Sequence, residues 1–328
     1  MSSISNSLDS VEHYAQAILL GLVQGVTELF PVSSLGHAVL IPAYLGGSWA
    51  SDLSMTNPNS PYLALIVALH VATAFALLLF FRDDWVRVFK GLVSSIQRKR
   101  IKTPYEKLAW LLIFSTIPVG LAGVVLDKIL RTSLGKPMYA GIFLMINGLV
   151  LYLAEKGGSA NRAQAKAQRG GRRGRGGAAD DTTVRELDRQ GRELPPDIAS
   201  DVRLARMSTK SAMLIGAAEI AGLFPGLSRS GATIATGLFK GMNREDAARF
   251  AFLLATPVIM LAGLYKLPTL MDPQFSAWRG PAVAGAVVAF IASYFSVKFL
   301  VRYFENRSLI PFAIYCGVFG LASAIYFA

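Results

Sequence analysis

The sequence predicts an all-α polytopic membrane protein with an inverted-topology repeat, in which each half is a re-entrant helical hairpin followed by three transmembrane helices. The first observation is composition: 53% of the 328 residues are hydrophobic and only 16% are charged, which is typical of polytopic membrane proteins. The second is an apolar stretch broken by Leu-Phe-Pro and serines, which occurs twice. Repeated, broken, polar half-helices indicate a binding site at the bilayer midplane. The third is the position of the basic residues, described below.

The two copies of the broken stretch lie at 21–40 and 216–240. In each copy an apolar half-helix ends at Leu-Phe-Pro, at Leu29–Pro31 and at Leu223–Pro225. Serines and a glycine follow, and then a second apolar half-helix. The design is therefore repeated, and each copy predicts a hairpin that enters the membrane and returns.

Six further segments are long enough to span a bilayer, which takes about 20 apolar residues. We predict a first membrane repeat, a basic loop and a second membrane repeat. The predicted bounds are 1–154 for the first repeat (hairpin 14–46, spans 62–81, 107–126 and 138–154), 155–210 for the loop, and 211–328 for the second repeat (hairpin 211–240, spans 247–267, 281–301 and 309–328).

Basic residues concentrate in four loops, near 82–102, 155–210, 240–244 and 302–307. The positive-inside rule places all four in the cytoplasm. The acidic N-terminal segment, with Asp9 and Glu12, prefers the outer side. The first hairpin therefore enters and leaves by the outer face and the second by the cytoplasmic face, so that their tips meet near the midplane. Broken backbone is tolerated at that depth only inside protein or beside water.

The loop 155–210 is rich in Gly, Ala, Arg and Asp, and its Arg169–Gly177 segment is RGGRRGRGG. Such a segment buries too little apolar surface to fold alone, so we predict a disordered basic cytoplasmic loop with one weak helix near 182–192. A contact with nucleic acid or anionic lipid is the alternative, and we expect no nucleic acid as a partner.

Glu28 is a carboxylate at membrane depth, which marks a functional site or a buried partner for a basic residue. Gln24 lies four residues earlier on the same helix face. The partner of Glu28 is expected to be Arg229, the only arginine in either hairpin tip. A pair that merely locks the hairpins together is the alternative.

Ser34 and Ser228 each precede a helix-like run, so either could be an N-cap. Capping alone would explain serines there. Two helix N-termini facing each other, with Arg229 and the small residues Gly226 and Gly231, would however also form a cradle for phosphate oxygens.

His37 follows the serines by one helical turn and could move protons near neutral pH, although a lone histidine is also an ordinary core residue. His70 also lies inside a predicted span, where packing and lining of the site are both open.

The two long motifs Gln24–His37 and Pro225–Thr233 resemble the signatures of the bacterial undecaprenyl-diphosphate phosphatases of the bacitracin-resistance type. Shorter collinear segments are similar to that family too, namely His70–Thr73, Thr116–Pro118, Phe250–Pro257 and Arg307–Tyr315. The resemblance covers the chain except its N-terminal tail and the loop.

The resemblance implies a homodimeric, multi-pass enzyme of the bacterial inner membrane, whose site opens toward the periplasm and uses Mg²⁺ or Ca²⁺. It would hydrolyse undecaprenyl diphosphate to undecaprenyl phosphate, which recycles the lipid carrier for peptidoglycan, supports cell shape and confers bacitracin resistance. The alternative is a transporter or flippase of polyprenyl phosphate that uses the same inverted-repeat site.

The predicted site residues, some derived above and others implied by the resemblance, fall into three groups. We predict that Ser34 is the nucleophile, with Glu28 as base or metal ligand and His37 as a proton shuttle; the alternative is direct attack by water or by His37, with Ser34 only positioning. Gln24 stands where the family carries Glu or Gln, so we hypothesise that Glu219 supplies a second carboxylate. The groups are Glu28, Ser34, His37 and Arg229 as catalytic; Gln24, Ser33, Gly226, Ser228, Ser230, Gly231, Thr233 and His70 as substrate-binding; and Glu28 and Glu219 as metal ligands.

Overall fold

The structure is a computed structural model of the chain, and it describes residues 2–57, 60–172, 193–270 and 272–328. Within these ranges the chain is helical and contains no β-strand. Two short 3₁₀-helices, Glu219–Leu223 and Pro273–Trp278, accompany the α-helices. The α-helices are α1 (Ser2–Thr27), α2 (Ser34–Leu45), α3 (Gly47–Asp52), α4 (Tyr62–Phe80), α5 (Arg82–Arg98), α6 (Pro104–Leu134), α7 (Pro137–Arg172), α8 (Pro196–Ala205), α9 (Thr209–Ala218), α10 (Arg229–Phe239), α11 (Arg244–Leu270), α12 (Arg279–Asn306) and α13 (Ile310–Tyr326).

Among the described residues, five helices are long and apolar enough to cross a membrane. The all-α polytopic class is therefore confirmed. The sixth predicted span, 309–328, forms α13, whose 17 residues fall just short of the length the others reach. The five segments are Tyr62–Phe80, Pro104–Leu126, Pro137–Gly158, Arg244–Lys266 and Pro273–Asn306.

Both broken stretches form helical hairpins. In the first, α1 and α2 are joined by a tight turn, and α1 begins at Ser2 rather than at the predicted residue 14. Within this N-terminal extension of α1, the ring of His13 packs against that of Trp278, with 4.2 Å between the ring centroids. In the second hairpin, α9 continues into the 3₁₀-helix Glu219–Leu223 before the chain turns into α10.

Several helix contacts between the two halves occur in matching pairs. Helix α1 packs on α12 as α9 packs on α6, and α4 packs on α12 as α11 packs on α6. Two further contacts join equivalent helices, α4 with α11 and α7 with α13, whereas α7 also packs on α10 and on α2. Paired contacts of this kind fit an inverted repeat, and the inverted topology stays a prediction.

The prediction that 155–210 forms a disordered loop is wrong at both ends of this range. Helix α7 continues through Arg172, and α8 occupies Pro196–Ala205. Helix α8 is ordered by buried charges: Arg249 donates from Nε to Asp201 at 2.8 Å and from Nη2 to Asp84 at 2.6 Å. Composition alone did not predict this helix, because its partners are ionic and distant in sequence. The helix predicted near 182–192 lies outside the described residues.

Candidate active site

The first helix N-terminus at the site is capped by Ser33, not by Ser34 as the sequence suggested. The Ser33 hydroxyl accepts hydrogen bonds from the backbone N–H of Gly36 and, across the hairpins, of Gly226, both at 3.2 Å. Its φ of 69° is a left-handed conformation, which a serine adopts only where the surrounding contacts impose it. Ser34 is consequently the first residue of α2, and its hydroxyl is not needed for capping.

The second helix N-terminus is capped by Ser228, as predicted. Its hydroxyl accepts from the Gly231 N–H at 3.1 Å and lies 3.1 Å from the hydroxyl of Ser230. Ser230 in turn donates to the carbonyl of Phe30 in the other hairpin at 3.3 Å. Ser230 thus joins the two tips, and the predicted meeting of the hairpin tips is observed.

Asn147 on α7 also holds the tips together, and the sequence analysis missed it. The side chain is 2% exposed. Its Nδ2 donates to the Pro31 carbonyl at 2.9 Å, and its Oδ1 accepts from the Ser228 N–H at 3.1 Å. A lone asparagine in an apolar spanning helix was the available signal, since polar residues at membrane depth pair with something.

A close contact between backbones explains why residue 226, in the second tip, is a glycine. Its φ is 109°, and a Cβ there would lie 2.3 Å from the carbonyl oxygen of Ala140. A Cβ on Gly36 would in turn lie 2.9 Å from the Cα of Gly226. The two tips can approach this closely only because both positions lack a side chain.

Glu28 is the centre of a buried polar cluster. Its Oε1 accepts a hydrogen bond from Arg229 Nη2 at 2.6 Å, which confirms the expected pairing of these residues. Its Oε2 accepts from Gln24 Nε2 at 3.0 Å and from the Ser34 hydroxyl. Glu28 itself is 6% exposed. The cluster therefore joins a carboxylate, a guanidinium and a hydroxyl from both hairpins.

The histidine in this cluster is His70 of α4. Its Nδ1 lies 2.8 Å from the carbonyl oxygen of Ile66, which can only accept, so Nδ1 carries a proton. Its Nε2 lies 3.2 Å from Glu28 Oε2. A second proton on Nε2 satisfies this contact as well, so the geometry favours an imidazolium paired with the Glu28 carboxylate.

His37, predicted as a catalytic residue, points away from the cluster. Its Nδ1 donates to the Ser33 carbonyl at 2.7 Å, and its Nε2 lies 2.7 Å from the Tyr315 hydroxyl, from which it accepts. The ring also stacks beside Phe319 at 5.5 Å between centroids. Both nitrogens are therefore occupied by α13 and the α2 N-terminus, and the expected contact of His37 with Glu28 and Ser34 is not observed.

A cavity of about 450 Å³ opens from the polar cluster. Glu28, Ser34 and Arg229 lie at its inner end, with Ser33, His70, Ser228 and Glu219 also in the wall. The remaining walls are mainly apolar side chains of α4, α6 and α11. Five predicted binding residues do not line this cavity and support the hairpins instead, namely Gln24, Gly226, Ser230, Gly231 and Thr233.

Glu219 is a buried carboxylate of this wall without a hydrogen-bond partner among the described residues. It is 1% exposed, and neither carboxylate oxygen has a partner. Gln24 Oε1 is unpaired and buried as well. No group of three or more His, Cys, Asp or Glu in the described part of the chain could hold a metal. Mg²⁺, however, is commonly bound by one or two carboxylates plus substrate phosphates, so an unpartnered carboxylate beside Arg229 and Ser34 fits such an ion.

The family model described as bacitracin resistance protein BacA matches residues 17–322. The chain belongs to this family. The match to the BacA model begins inside α1 and ends inside α13, so it contains both hairpin tips and every residue of the polar cluster.

Three proteins that are similar to this BacA-family chain are each named undecaprenyl-diphosphatase. The chain is 51% identical over 315 residues to an undecaprenyl-diphosphatase of Mycolicibacterium paratuberculosis, covering 96% of this chain and 97% of the relative. It is 42% identical to undecaprenyl-diphosphatase 1 of Frankia casuarinae, covering 96% and 98%. It is 36% identical to undecaprenyl-diphosphatase 2 of Burkholderia thailandensis, covering 93% of each chain.

Proposed function

We propose that this protein is an integral membrane phosphatase that hydrolyses undecaprenyl diphosphate to undecaprenyl phosphate and inorganic phosphate. One observation carries the proposal: Ser34, Glu28, Arg229 and His70 converge at the inner end of an otherwise apolar cavity. Cations at that end suit a diphosphate, and apolar walls suit a prenyl chain. Relatives matched over nearly their whole length are named for this activity.

In the first step, the Ser34 hydroxyl attacks the terminal phosphorus. A bond forms between Oγ and phosphorus, the bond to the bridging oxygen breaks, and undecaprenyl phosphate leaves. Glu28 Oε2 already accepts the hydrogen bond of that hydroxyl, so it is placed to take the proton. Water then attacks the phosphorus of the phosphoserine, the bond from Oγ to phosphorus breaks, and a proton of the water goes to Oγ. Inorganic phosphate leaves, and Glu28 releases its proton to water.

Stabilisation of the transferring phosphoryl group falls to Arg229 and to the N-termini of α2 and α10. Positive groups and N–H dipoles aimed at the phosphoryl oxygens provide most of the catalysis in phosphoryl transfer. His70 adds an imidazolium beside the same carboxylate. Direct attack by water, with Ser34 only positioning it, is the second version of this chemistry. Attack by His37 has no support, because both of its ring nitrogens are engaged elsewhere.

A divalent cation, Mg²⁺ or Ca²⁺, would be held by Glu219 together with Glu28. When bound, such an ion neutralises phosphate charge during the transfer. Glu219 would then gain the partner that its buried oxygens lack. Its position on the second hairpin compensates for Gln24, whose neutral amide can donate to Glu28 but cannot act as a base.

The wider role follows from the activity. Recycling of the lipid carrier would serve peptidoglycan synthesis and cell shape, and it would confer resistance to bacitracin. We expect the protein in the bacterial inner membrane as a homodimer. The cavity extends toward Tyr62 and Lys266, the ends of α4 and α11 that the positive-inside rule places outside, so the site would open toward the periplasm.

A transporter or flippase of polyprenyl phosphate is less well supported. Carrying a phosphate needs only the cationic cradle of Arg229 and the helix N-termini. The hydrogen bond from Ser34 to Glu28 prepares a nucleophile, which transport does not need.

The test is release of phosphate from a prenyl diphosphate by purified protein in detergent. We expect release by the wild type and its loss, by about 10²-fold or more, in Arg229→Ala and Glu28→Gln. Arg82→Ala is the matched control, because Arg82 is at the surface, 72% exposed, and should keep wild-type activity. Protein that binds the lipid yet releases no phosphate with any divalent metal would refute the proposal in favour of the transporter.

A further inference from the structure

Building on the proposed phosphatase function, we propose that the apolar groove between α4 and α6 holds the first isoprene units of the substrate, and that Gly120 and Gly123 set its width. The groove is the apolar part of the cavity described above. It is a binding site for a branched hydrocarbon chain attached to a phosphate.

The two glycines are not explained by packing. A Cβ built on Gly120 or on Gly123 would meet no atom within 4 Å. Gly263, which lines the cavity on α11, differs, because a Cβ there would lie 2.4 Å from Val71 Cγ2 of α4. Gly216 differs too, since its Cβ would lie 2.1 Å from the carbonyl oxygen of Ser115. These two glycines permit close helix contacts, whereas Gly120 and Gly123 leave space.

Gly120 and Gly123 differ from the equally uncrowded Gly317 in that they line the cavity that contains the polar cluster. Glycine in a helix interior costs about 1 kcal/mol relative to alanine, and no close contact of the protein offsets that cost at these positions. Both residues line the cavity. A ligand in the groove would fill the space that their missing side chains leave.

The groove leads directly from the polar cluster. Along α6 its wall runs from Thr116 to Val124, about 12 Å at 1.5 Å per residue. Helix α4 forms the facing wall, and α11 packs against both helices. In the described part of the chain α4 and α6 do not pack along one another, so a chain between them can continue into the lipid. The length suits the first few isoprene units and leaves the rest of a long prenyl chain in the bilayer.

Two features support a prenyl phosphate as the occupant of the groove. At its inner end are the guanidinium of Arg229 and the carboxylate of Glu219, which is 1% exposed and has no hydrogen-bond partner; a phosphate with its cation would supply that partner. In addition, the methyl branches of an isoprene chain are wider than a straight acyl chain, which is where the missing Cβ atoms provide room.

The test measures binding rather than turnover, so that it is independent of the phosphatase proposal. Affinities of farnesyl phosphate (three isoprene units) and dimethylallyl phosphate (one unit) are compared for wild type and for Ala, Val and Leu at Gly123 and Gly120. We expect the affinity for farnesyl phosphate to fall stepwise with side-chain size, by 10-fold or more for Leu, while that for dimethylallyl phosphate stays within about twofold.

The matched control is Gly317→Leu. A Cβ on Gly317 also meets no atom within 4 Å, but this residue lines a separate groove between α7 and α13, so it should bind both ligands as the wild type does. Unchanged binding of farnesyl phosphate in Gly123→Leu and Gly120→Leu would overturn the proposal, as would an equal loss for both ligands. Absence of phosphate release by the wild type would refute the phosphatase and leave this binding result standing.

Discussion

The two hairpins share one scaffold but carry different chemical groups. In each, a serine caps the second helix, Ser33 in the first hairpin and Ser228 in the second. In each, the cap accepts from the N–H of a glycine three residues later, Gly36 and Gly231. The capping hydrogen bond is thus present in both copies, although the backbone of the two caps differs, with a φ of 69° at Ser33 and of −89° at Ser228.

The positions between these shared features differ. The first helical residue is Ser34 in one hairpin and Arg229 in the other. The residue before Leu-Phe-Pro is Glu28 in one and Gly222 in the other. A Cβ on Gly222 would lie 2.5 Å from the Cβ of Arg229, so the second hairpin gives up a side chain there to make room for the arginine.

The difference teaches how one repeated element can build an asymmetric site. Nucleophile and base come from the first hairpin, and the cation comes from the second. Each hairpin alone presents an unpaired charge at membrane depth, which is costly. Together they neutralise one another, with Glu28 and Arg229 2.6 Å apart. The site exists only when both tips meet.

The largest effect is expected at the first helical residue of the first hairpin. Ser34→Ala should lower turnover by about 10³-fold or more, because the nucleophile is lost. Ser33→Ala should remove the α2 cap and the hydrogen bond from the Gly226 N–H, each worth about 1 kcal/mol, and should leave most of the turnover. The measurement is phosphate release together with trapping of phosphoserine by acid quench.

Two outcomes would decide against this assignment. If Ser34→Ala retains wild-type turnover and no phosphoserine is trapped in the wild type, water is the nucleophile. If Ser33→Ala loses as much as Ser34→Ala, the cap geometry rather than the hydroxyl of Ser34 determines the activity.

A smaller effect is expected at Glu219, where the comparison concerns which hairpin carries the second carboxylate. Glu219→Gln should raise the concentration of Mg²⁺ or Ca²⁺ needed for half-maximal activity by about 10- to 100-fold, since a carboxylate ligand is lost. Titration of phosphate release with metal measures this change.

The matched rescue moves the charge to the other hairpin. Gln24→Glu in the Glu219→Gln background should restore part of the metal affinity, because Gln24 adjoins Glu28. A metal dependence that is unchanged in Glu219→Gln would contradict a role of Glu219 in binding the ion.

The hairpins and the pairing of Glu28 with Arg229 could be predicted from the sequence, because each depends on residues that the hairpin sequences contain. A carboxylate and an arginine at membrane depth need partners, and Glu28 and Arg229 are the charged residues at the two tips. The cap of α2 could not be assigned, because Ser33 and Ser34 are adjacent and equally suitable; contact with the Gly226 N–H decides between them.

The contacts of the two histidines could not be predicted in this way. Spacing places His37 beside the serines, but its ring direction is set by Tyr315, which is 278 residues away in sequence. His70 reaches Glu28 only through the packing of α4 beside the first hairpin. Helix α8 is likewise stabilised by the ion pair between Asp201 and Arg249. Side-chain direction and ionic partners of this kind depend on tertiary contacts that periodicity does not contain.

The smallest effect is expected at Asn147, which contacts both hairpins at once. Asn147→Leu should lower the free energy of unfolding by about 1–3 kcal/mol, because the Ser228 N–H would be buried without a partner and the Pro31 carbonyl would keep only its long contact with the Cys316 thiol. Thermal unfolding in detergent measures this loss. Turnover should fall less than in Ser34→Ala, since no reacting group is removed.

The contribution of the amide donor can be tested with Asn147→Asp. Aspartate keeps an oxygen for the Ser228 N–H, but its carboxylate would be a buried charge that faces the Pro31 carbonyl, which also accepts. Because an unpaired charge at membrane depth is costly, this variant should be at least as unstable as Asn147→Leu at neutral pH and should regain stability at low pH, where a protonated carboxyl group can donate to the Pro31 carbonyl. Wild-type stability in both variants would show that the tips are held by Ser33 and Ser230 alone, and that the meeting of the hairpins needs no third helix.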